Sequence, residues 1–350
     1  MPELHFVLSG DPATATGGYV YDRRMVEGLR ARGWSVMVHA LDASFPGPGE
    51  QALAEARAVL AGIPDKGLVL VDGLALGGMP ALAEAEAARL RLIALVHHPL
   101  AEETGLDAAQ AAALATAERR ALAAVQGVVV TSSTTARALA RYGVTPERIQ
   151  VVEPGTEPAP LARGSGGPGL GLLCVASFTP RKGHLLLLDA LTTLADRPWR
   201  LVCAGSLERN PETVAAVRQR LHSPPLAGRA TLYGELEPAA LASCYDAADL
   251  FVLPTYYEGY GMVLTEALAR GLPILSTLAG AVPKTVPASA GLLVPPGDLE
   301  ALTAALATLM DDPPRLARLA EGARAARATL ATWEAAALSM ASALESAARQ

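Results

Sequence analysis

Three cysteines in 350 residues, at positions 174, 203 and 244, are too few, too scattered and odd in number for a disulfide framework, and no Cys-x-x-Cys pair marks a zinc site. Cys174 and Cys203 fall within strand-like runs and read as small buried hydrophobes. Positive charge is also short. With 29 Lys and Arg against 35 Asp and Glu, the net charge of −6 excludes a general nucleic-acid binder, because affinity for a phosphate backbone needs a basic surface. Any phosphate site must therefore be local. No stretch approaches the ~18 apolar residues of a membrane-spanning helix, and Met1-Pro-Glu-Leu-His lacks a basic leader region, so a soluble cytoplasmic protein is expected. No Asp-x-Asp occurs, which removes the carboxylates that a magnesium-bridged diphosphate would want. No metal site or cofactor is expected. The glycines at 10, 17 and 18 do not fit Gly-x-Gly-x-x-Gly, so a nicotinamide dehydrogenase is disfavoured.

What is present is an alternation of apolar runs with helical segments. In the first half the runs are Leu4–Leu8, Val36–His39, Leu68–Val71, Leu92–Val96, Val128–Thr131 and Ile149–Val152. Between them lie helices near Tyr19–Arg32, Gln51–Ala61, Ala108–Ala124 and Thr134–Tyr142. Strands buried on both faces and separated by helices imply a doubly wound parallel sheet. Then Glu153 to Pro160 and Arg163 to Gly169, rich in Pro, Gly and polar residues without periodicity, read as a linker. The alternation restarts with Leu170–Ala176, Arg200–Ala204, Ala230–Tyr233, Leu250–Leu253, Ile274–Ser276 and Gly291–Val294. The expected fold class is α/β, with two facing Rossmann-like domains over 1–160 and 170–330 and a ligand site in the cleft between them. A last helix opens at Thr332-Trp-Glu-Ala.

The most informative segment runs from Pro254 to Glu266. After the strand Leu250–Leu253, Pro254 stops the run and a helix is expected over Met262–Arg270. Glu258 then sits in the loop, and Glu266 about one turn inside the helix. Between them Gly259, Tyr260 and Gly261 let the backbone approach a ligand, while the first N–H groups of the helix, at Gly261, Met262 and Val263, point outward. That is an anion site flanked by two hydroxyl acceptors, the layout of a nucleotide diphosphate sugar. Glu266 suits the ribose and Glu258 the sugar. Upstream, Ser177-Phe-Thr-Pro-Arg-Lys-Gly-His184 follows a strand. Lys182 is one of only three lysines, with Lys66 and Lys284. A fixed ammonium there would stabilise a departing diphosphate more than the bound donor.

Two glutamates separated by seven residues around a Gly-aromatic-Gly turn resemble the donor signature of the retaining glycosyltransferases of family four. The likeness continues through Glu266-Ala-Leu-Ala-Arg-Gly-Leu-Pro273 and Gly291-Leu-Leu-Val-Pro-Pro-Gly-Asp298. The resemblance implies the GT-B fold over nearly the whole chain, with the last helix, 331–350, crossing back to an acceptor-binding N-terminal domain and the C-terminal domain binding the donor. It places Lys182 on the diphosphate and pairs Gly17 and Gly18 with the donor phosphates and acceptor. It also sets His97, at the end of the strand Leu92–Val96, on the sugar or acceptor. Relatives usually carry an arginine five residues before Lys182, where this chain has Ser177; Arg181 is the candidate replacement. Lys284 stands where relatives often have glutamate, and Glu153-Pro-Gly155 replaces a more usual Pro-Asn-Gly.

After His97 come His98 and the polar loop Leu100-Ala-Glu-Glu-Thr-Gly-Leu-Asp107, where Glu102, Glu103 and Asp107 suit a hydroxyl-rich acceptor and equally a solvated loop. The expected activity is hexosyl transfer from a nucleotide diphosphate sugar to an acceptor hydroxyl, with retention and without a metal. A GT-B phosphorylase, a sugar-nucleotide epimerase, a glycoside hydrolase using Glu258 and Glu266, and a non-catalytic sugar-nucleotide binder are the competing readings. Arg23, Arg24, Arg30 and Arg32 share one helix and could meet an anionic membrane surface, but a solvated face is the favoured reading.

Overall fold

The computed structural model describes residues 1–348. Each apolar run read from the sequence is a strand: β1 Glu3–Ser9, β2 Ser35–Leu41, β3 Leu68–Asp72, β4 Arg91–Val96, β5 Gly127–Val130, β6 Ile149–Val151, β7 Leu170–Val175, β8 Trp199–Ala204, β9 Ala230–Leu232, β10 Leu250–Leu253, β11 Ile274–Thr277 and β12 Gly291–Val294. They form two six-stranded, all-parallel sheets, in the orders β2-β1-β3-β4-β5-β6 and β12-β11-β10-β7-β8-β9. The chain divides into two compact units, residues 1–155 with 331–350, and residues 156–330. Each has the doubly wound architecture of a GT-B domain.

Parallel strands need crossovers, and the helices that supply them cover both faces of each sheet. The central strands are accordingly apolar at every position. Leu250, Phe251, Val252 and Leu253 are fully buried, as are Val69 and Leu70 in the first unit. Strand order also fixes where chemistry can gather. In the first sheet the crossovers run in opposite directions from β1 and β3; in the second they diverge from β7 and β10. The carboxyl ends of those strand pairs are the topological switch points, where a doubly wound sheet leaves room for a ligand.

Several local features differ from the sequence reading. The segment between β3 and β4 carries two short helices, Gly73–Gly78 and Pro80–Glu86, joined at Met79. The helix expected over Thr134–Tyr142 ends at Ala138 and tightens into a 3-10 turn, Leu139–Tyr142. The Pro- and Gly-rich stretch before β7 is less free than its composition suggests. Arg163 pairs with Asp246, and Asp249 accepts from the backbone N–H of Ser165 at 3.0 Å and of Gly171 at 2.7 Å. Two aspartates thus satisfy irregular backbone and tie this stretch to the second unit.

The last helix, Trp333–Ala348, belongs to the first unit and packs on the helix Gly17–Ala31. The Arg24 guanidinium lies 5.7 Å from the Trp333 ring centroid, and Arg32 donates to the Glu334 carbonyl at 2.7 Å. Arg30 donates to the Val36 carbonyl at 2.7 Å, and Arg23 to the carbonyls of Pro12 and Thr14, at 2.5 and 2.8 Å. The four arginines weighed for a membrane surface or a solvated face are therefore engaged in packing this helix and its entry loop. Among the described residues no helix is long and apolar enough to cross a membrane.

Candidate active site

In the second unit, the loops leaving β7 and β10 meet at the switch point because those strands are neighbours. Backbone and hydroxyl bonds lock the loops together. Tyr256 N–H donates to the Arg181 carbonyl at 2.7 Å, and Arg181 Nη1 donates back to the Tyr257 carbonyl at 2.8 Å. Fully buried Thr255 shares its hydroxyl hydrogen between the Arg181 and Tyr257 carbonyls, each at 3.0 Å. Gly183, directly after Lys182, has φ +71°, and a Cβ there would stand 2.0 Å from the Pro254 carbonyl oxygen. Only glycine lets these loops approach so closely.

This bracing places the Lys182 ammonium 2.6 Å from Glu258 Oε1, with the side chains only 15% and 7% exposed. Arg181 Nη1 lies 3.9 Å from the same oxygen. Burial alone would raise the Glu258 pKa; the charges of Lys182 and then Arg181, with the Lys182 hydrogen bond, hold it below the usual glutamate value. Arg181 and Lys182, adjacent in sequence, thus both face Glu258. Ser177 is half-buried just past β7, its carbonyl accepting from Thr179 N–H at 2.9 Å.

The helix beyond the loop spans Met262–Ala269 and starts from Gly261, whose φ of +89° turns the chain into it. No side chain caps this start. The leading N–H groups of a helix have no intrahelical acceptor and carry its positive end. Gly259 and Tyr260 are half-buried between Glu258 and that start, as are Met262 and Val263 at its opening turn. Glu266, half-buried one turn on, accepts from the Tyr245 hydroxyl at 2.9 Å. Burial raises its pKa, opposed by the Tyr245 hydrogen bond and the Arg270 charge. Arg270 lies 4.3 Å over the Tyr245 ring. Thr255 and Tyr245 were not singled out from the sequence, where nothing distinguishes a bracing threonine or tyrosine from any other.

In the first unit, Gly17 and Gly18 open the helix Gly17–Ala31 after β1. His97 follows β4, its Nε2 3.2 Å from Asp22 Oδ1 and 3.7 Å from Asp72 Oδ1. Burial would lower the pKa of this ring; the Asp22 charge and hydrogen bond, joined by the Asp72 charge, raise it above the ordinary histidine value. Asp72 is pushed up to about 6 by burial and by Asp22, against the pull of His97. These two aspartates were also missed. Asp22 lies inside a helix and Asp72 ends a strand, and only the fold brings them to His97.

His98 Nε2 faces Glu103 Oε2 at 3.5 Å, while Glu102 accepts from Arg141 at 2.7 Å. Asp107, read from the sequence as acceptor-facing or solvated, is exposed and caps a helix: it accepts from Gln110 N–H at 2.8 Å, and the Gln110 side chain accepts from Asp107 N–H at 2.9 Å. This reciprocal capping box opens the helix Ala108–Ala124.

Residues 169–312 match the family model described as glycosyl transferases group 1, and residues 67–159 match the model of glycosyltransferase family 4; together the matches take in more than half of the chain. The chain belongs to the group 1 glycosyltransferases. This glycosyltransferase is 29% identical over 308 residues to an MMP alpha-(1->4)-mannosyltransferase of Mycolicibacterium hassiacum, covering 83% of this chain and 73% of that protein. It is 32% identical over 241 residues to a D-inositol 3-phosphate glycosyltransferase of Xylanimonas cellulosilytica, covering 64% of this chain and 57% of the relative. The chain thus spans only about half the length of several curated relatives that it matches. Among solved structures, the sucrose-phosphate synthase of Thermosynechococcus elongatus superposes with a TM-score of 0.83 at 24% identity, over 99% of both chains. Anabaena Alr3699/HepE, solved in complex with UDP-glucose, gives 0.77 at 18% identity, over 98% of this chain and 99% of that one. Both share the GT-B fold.

Proposed function

We propose that this glycosyltransferase moves a hexosyl group from a nucleotide diphosphate sugar to an acceptor hydroxyl, with retention at the anomeric carbon and without a metal ion. The observation that carries the reading is the convergence of Arg181 and Lys182 on Glu258, next to an uncapped helix start, at the switch point of the second unit. Cationic side chains and outward N–H groups suit a diphosphate. Lys182, with Arg181 in place of the cation absent at Ser177, takes up the charge that grows on the leaving diphosphate. Glu258 orients the sugar and Glu266 the ribose, each through hydroxyl donors to an ionised carboxylate. The backbones of Gly259 to Val263 line the phosphates.

The first unit supplies the acceptor side. Gly17 and Gly18 give close backbone approach, His97 serves the sugar or the attacking hydroxyl, and His98, Glu102 and Glu103 select the acceptor. Metal-independent chemistry is supported by the cationic character of the donor site. Among the described residues, the one group of three side chains able to ligate a metal together is Asp22, Asp72 and His97, in the other unit.

A thermal-shift panel of nucleoside diphosphates tests the donor site. A ligand at a hundred times its dissociation constant adds about 2.7 kcal/mol to the folded state, and one diphosphate should stabilise selectively. Transfer assays with the corresponding nucleotide sugars, run with and without chelator, then read activity, anomeric outcome and metal dependence. No stabilisation by any nucleoside diphosphate, or turnover that chelator abolishes, would count against the proposal.

A further inference from the structure

The carboxyl end of the first sheet gathers two buried carboxylates, Asp22 and Asp72, that the donor and acceptor assignments leave unused, around His97. Asp22 comes from the helix after β1, Asp72 from the end of β3 and His97 from just beyond β4, so the switch point itself assembles them. Asp22 is 3% exposed and Asp72 5%. An ionised carboxylate can only accept a hydrogen bond, so a ring nitrogen facing two of them carries the hydrogen. Nε2–H thus donates to Asp22 Oδ1 at 3.2 Å, while Asp72 Oδ1, at 3.7 Å, acts by charge. Asp72 is itself held in place, its Oδ2 accepting from Leu74 N–H at 3.0 Å.

The rest of the surroundings keep the ring in register. The Thr131 and Thr135 hydroxyls donate to the His97 carbonyl at 3.2 and 3.3 Å. Tyr21 stands edge-on at 5.4 Å, its hydroxyl donating to the Val152 carbonyl at 3.0 Å. A Cβ on Gly18 would rest 3.6 Å from ring atoms Cδ2 and Nε2, an ordinary contact, and the His97 side chain is 21% exposed. The titratable groups facing His97 are therefore Asp22, Asp72 and Tyr21, and Tyr21 stays neutral because burial drives its pKa far up.

We propose that Asp22 and Asp72 are positioning residues that fix His97 as an imidazolium, with Nε2–H committed to Asp22 and Nδ1–H left as the donor for substrate oxygen. Two buried carboxylates side by side are unfavourable without a cation, and the protonated ring supplies it. Its orientation then no longer depends on substrate. The consequence for turnover rests on the proposed transferase reading; the state of the ring does not.

Imidazole NMR titration of the full chain separates the two. Histidine resonances are compared in the wild type, Asp22→Asn and Asp72→Asn, with His97→Gln for assignment. The wild-type ring should titrate above an ordinary histidine, and each asparagine variant should lower that value, Asp22→Asn more than Asp72→Asn. Asp72→Asn serves alone if Asp22→Asn does not fold. An unmoved titration in the folded variants overturns the proposal. So does tight Zn²⁺ or Mn²⁺ binding by the wild type that Asp22→Asn abolishes, which would make the cluster a metal site. With an active donor and acceptor pair, Asp22→Asn should lower kcat at least tenfold with donor KM little changed, shift the alkaline limb of the pH profile to lower pH, and be partly rescued by Asp22→Glu. If the NMR shifts appear but Asp22→Asn and His97→Gln both turn over normally, the positioning holds and the role of His97 in transfer is what fails.

Discussion

Lys182 Nζ and Glu258 Oε1 lie 2.6 Å apart although 76 residues separate them in the chain. Neither loop would hold this pair alone; the adjacency of β7 and β10 and the bonds through Thr255 bring the side chains together. Lys182→Ala removes a cation from a buried carboxylate and should destabilise the protein by about 3 kcal/mol, read by denaturant unfolding. It should also lower kcat by about 10²–10³, as loss of one preorganised charge on a leaving group does. Because the Glu258 pKa is depressed, the stability due to this pair is fully present above the ordinary glutamate value. It should fade as pH falls through the lower folded value, and unfolding followed from pH 7 to pH 3 would read the loss.

Glu266 makes the opposite prediction for binding. Its pKa is raised, so the carboxylate proposed to accept from the ribose hydroxyls is gained as pH rises through that value. Nucleoside diphosphate affinity should therefore increase with pH over that range, and Glu266→Gln should flatten the dependence. Tyr245→Phe removes a hydrogen bond that stabilises the ionised form and should move the rise to higher pH. Calorimetric titration at several pH values checks both.

Gly183→Ala tests the loop geometry. A Cβ would collide with the Pro254 carbonyl, and φ of +71° costs an L residue about 1–2 kcal/mol before any clash. The melting temperature should fall, and transfer should fall further than stability explains, because Lys182 is the preceding residue. An alanine variant with unchanged melting temperature and kcat would show that the loops tolerate separation.

Glu118 offers a stability test remote from the chemistry. Buried in the helix Ala108–Ala124, it accepts from Leu100 N–H at 3.0 Å, and burial pushes its pKa up to about 7. A raised carboxyl pKa contributes stability present below the unfolded value near 4.5 and lost as pH rises through about 7. The loss is on the order of 3 kcal/mol. Glu118→Gln keeps an acceptor for Leu100 and removes the charge, so it should be more stable than the wild type at pH 8 and nearly equal at pH 4.5.

The sequence by itself determined the twelve strands, the doubly wound class and the segment carrying Glu258 and Glu266, because each is written in local terms. A strand buried on both faces must be continuously apolar, a helix start must follow its breaker, and a glycine turn must contain glycine. What only the tertiary structure decided is which side chains meet. Strand order set Lys182 and Arg181 against Glu258, put Tyr245 on Glu266, and drew Asp22 and Asp72 to His97. It also made Asp107 a helix cap and gave the helix arginines carbonyl and ring partners. The physical reason is range: composition and period act over a few residues, whereas the charge state of a buried group is set by neighbours the chain reaches only after its crossovers have closed.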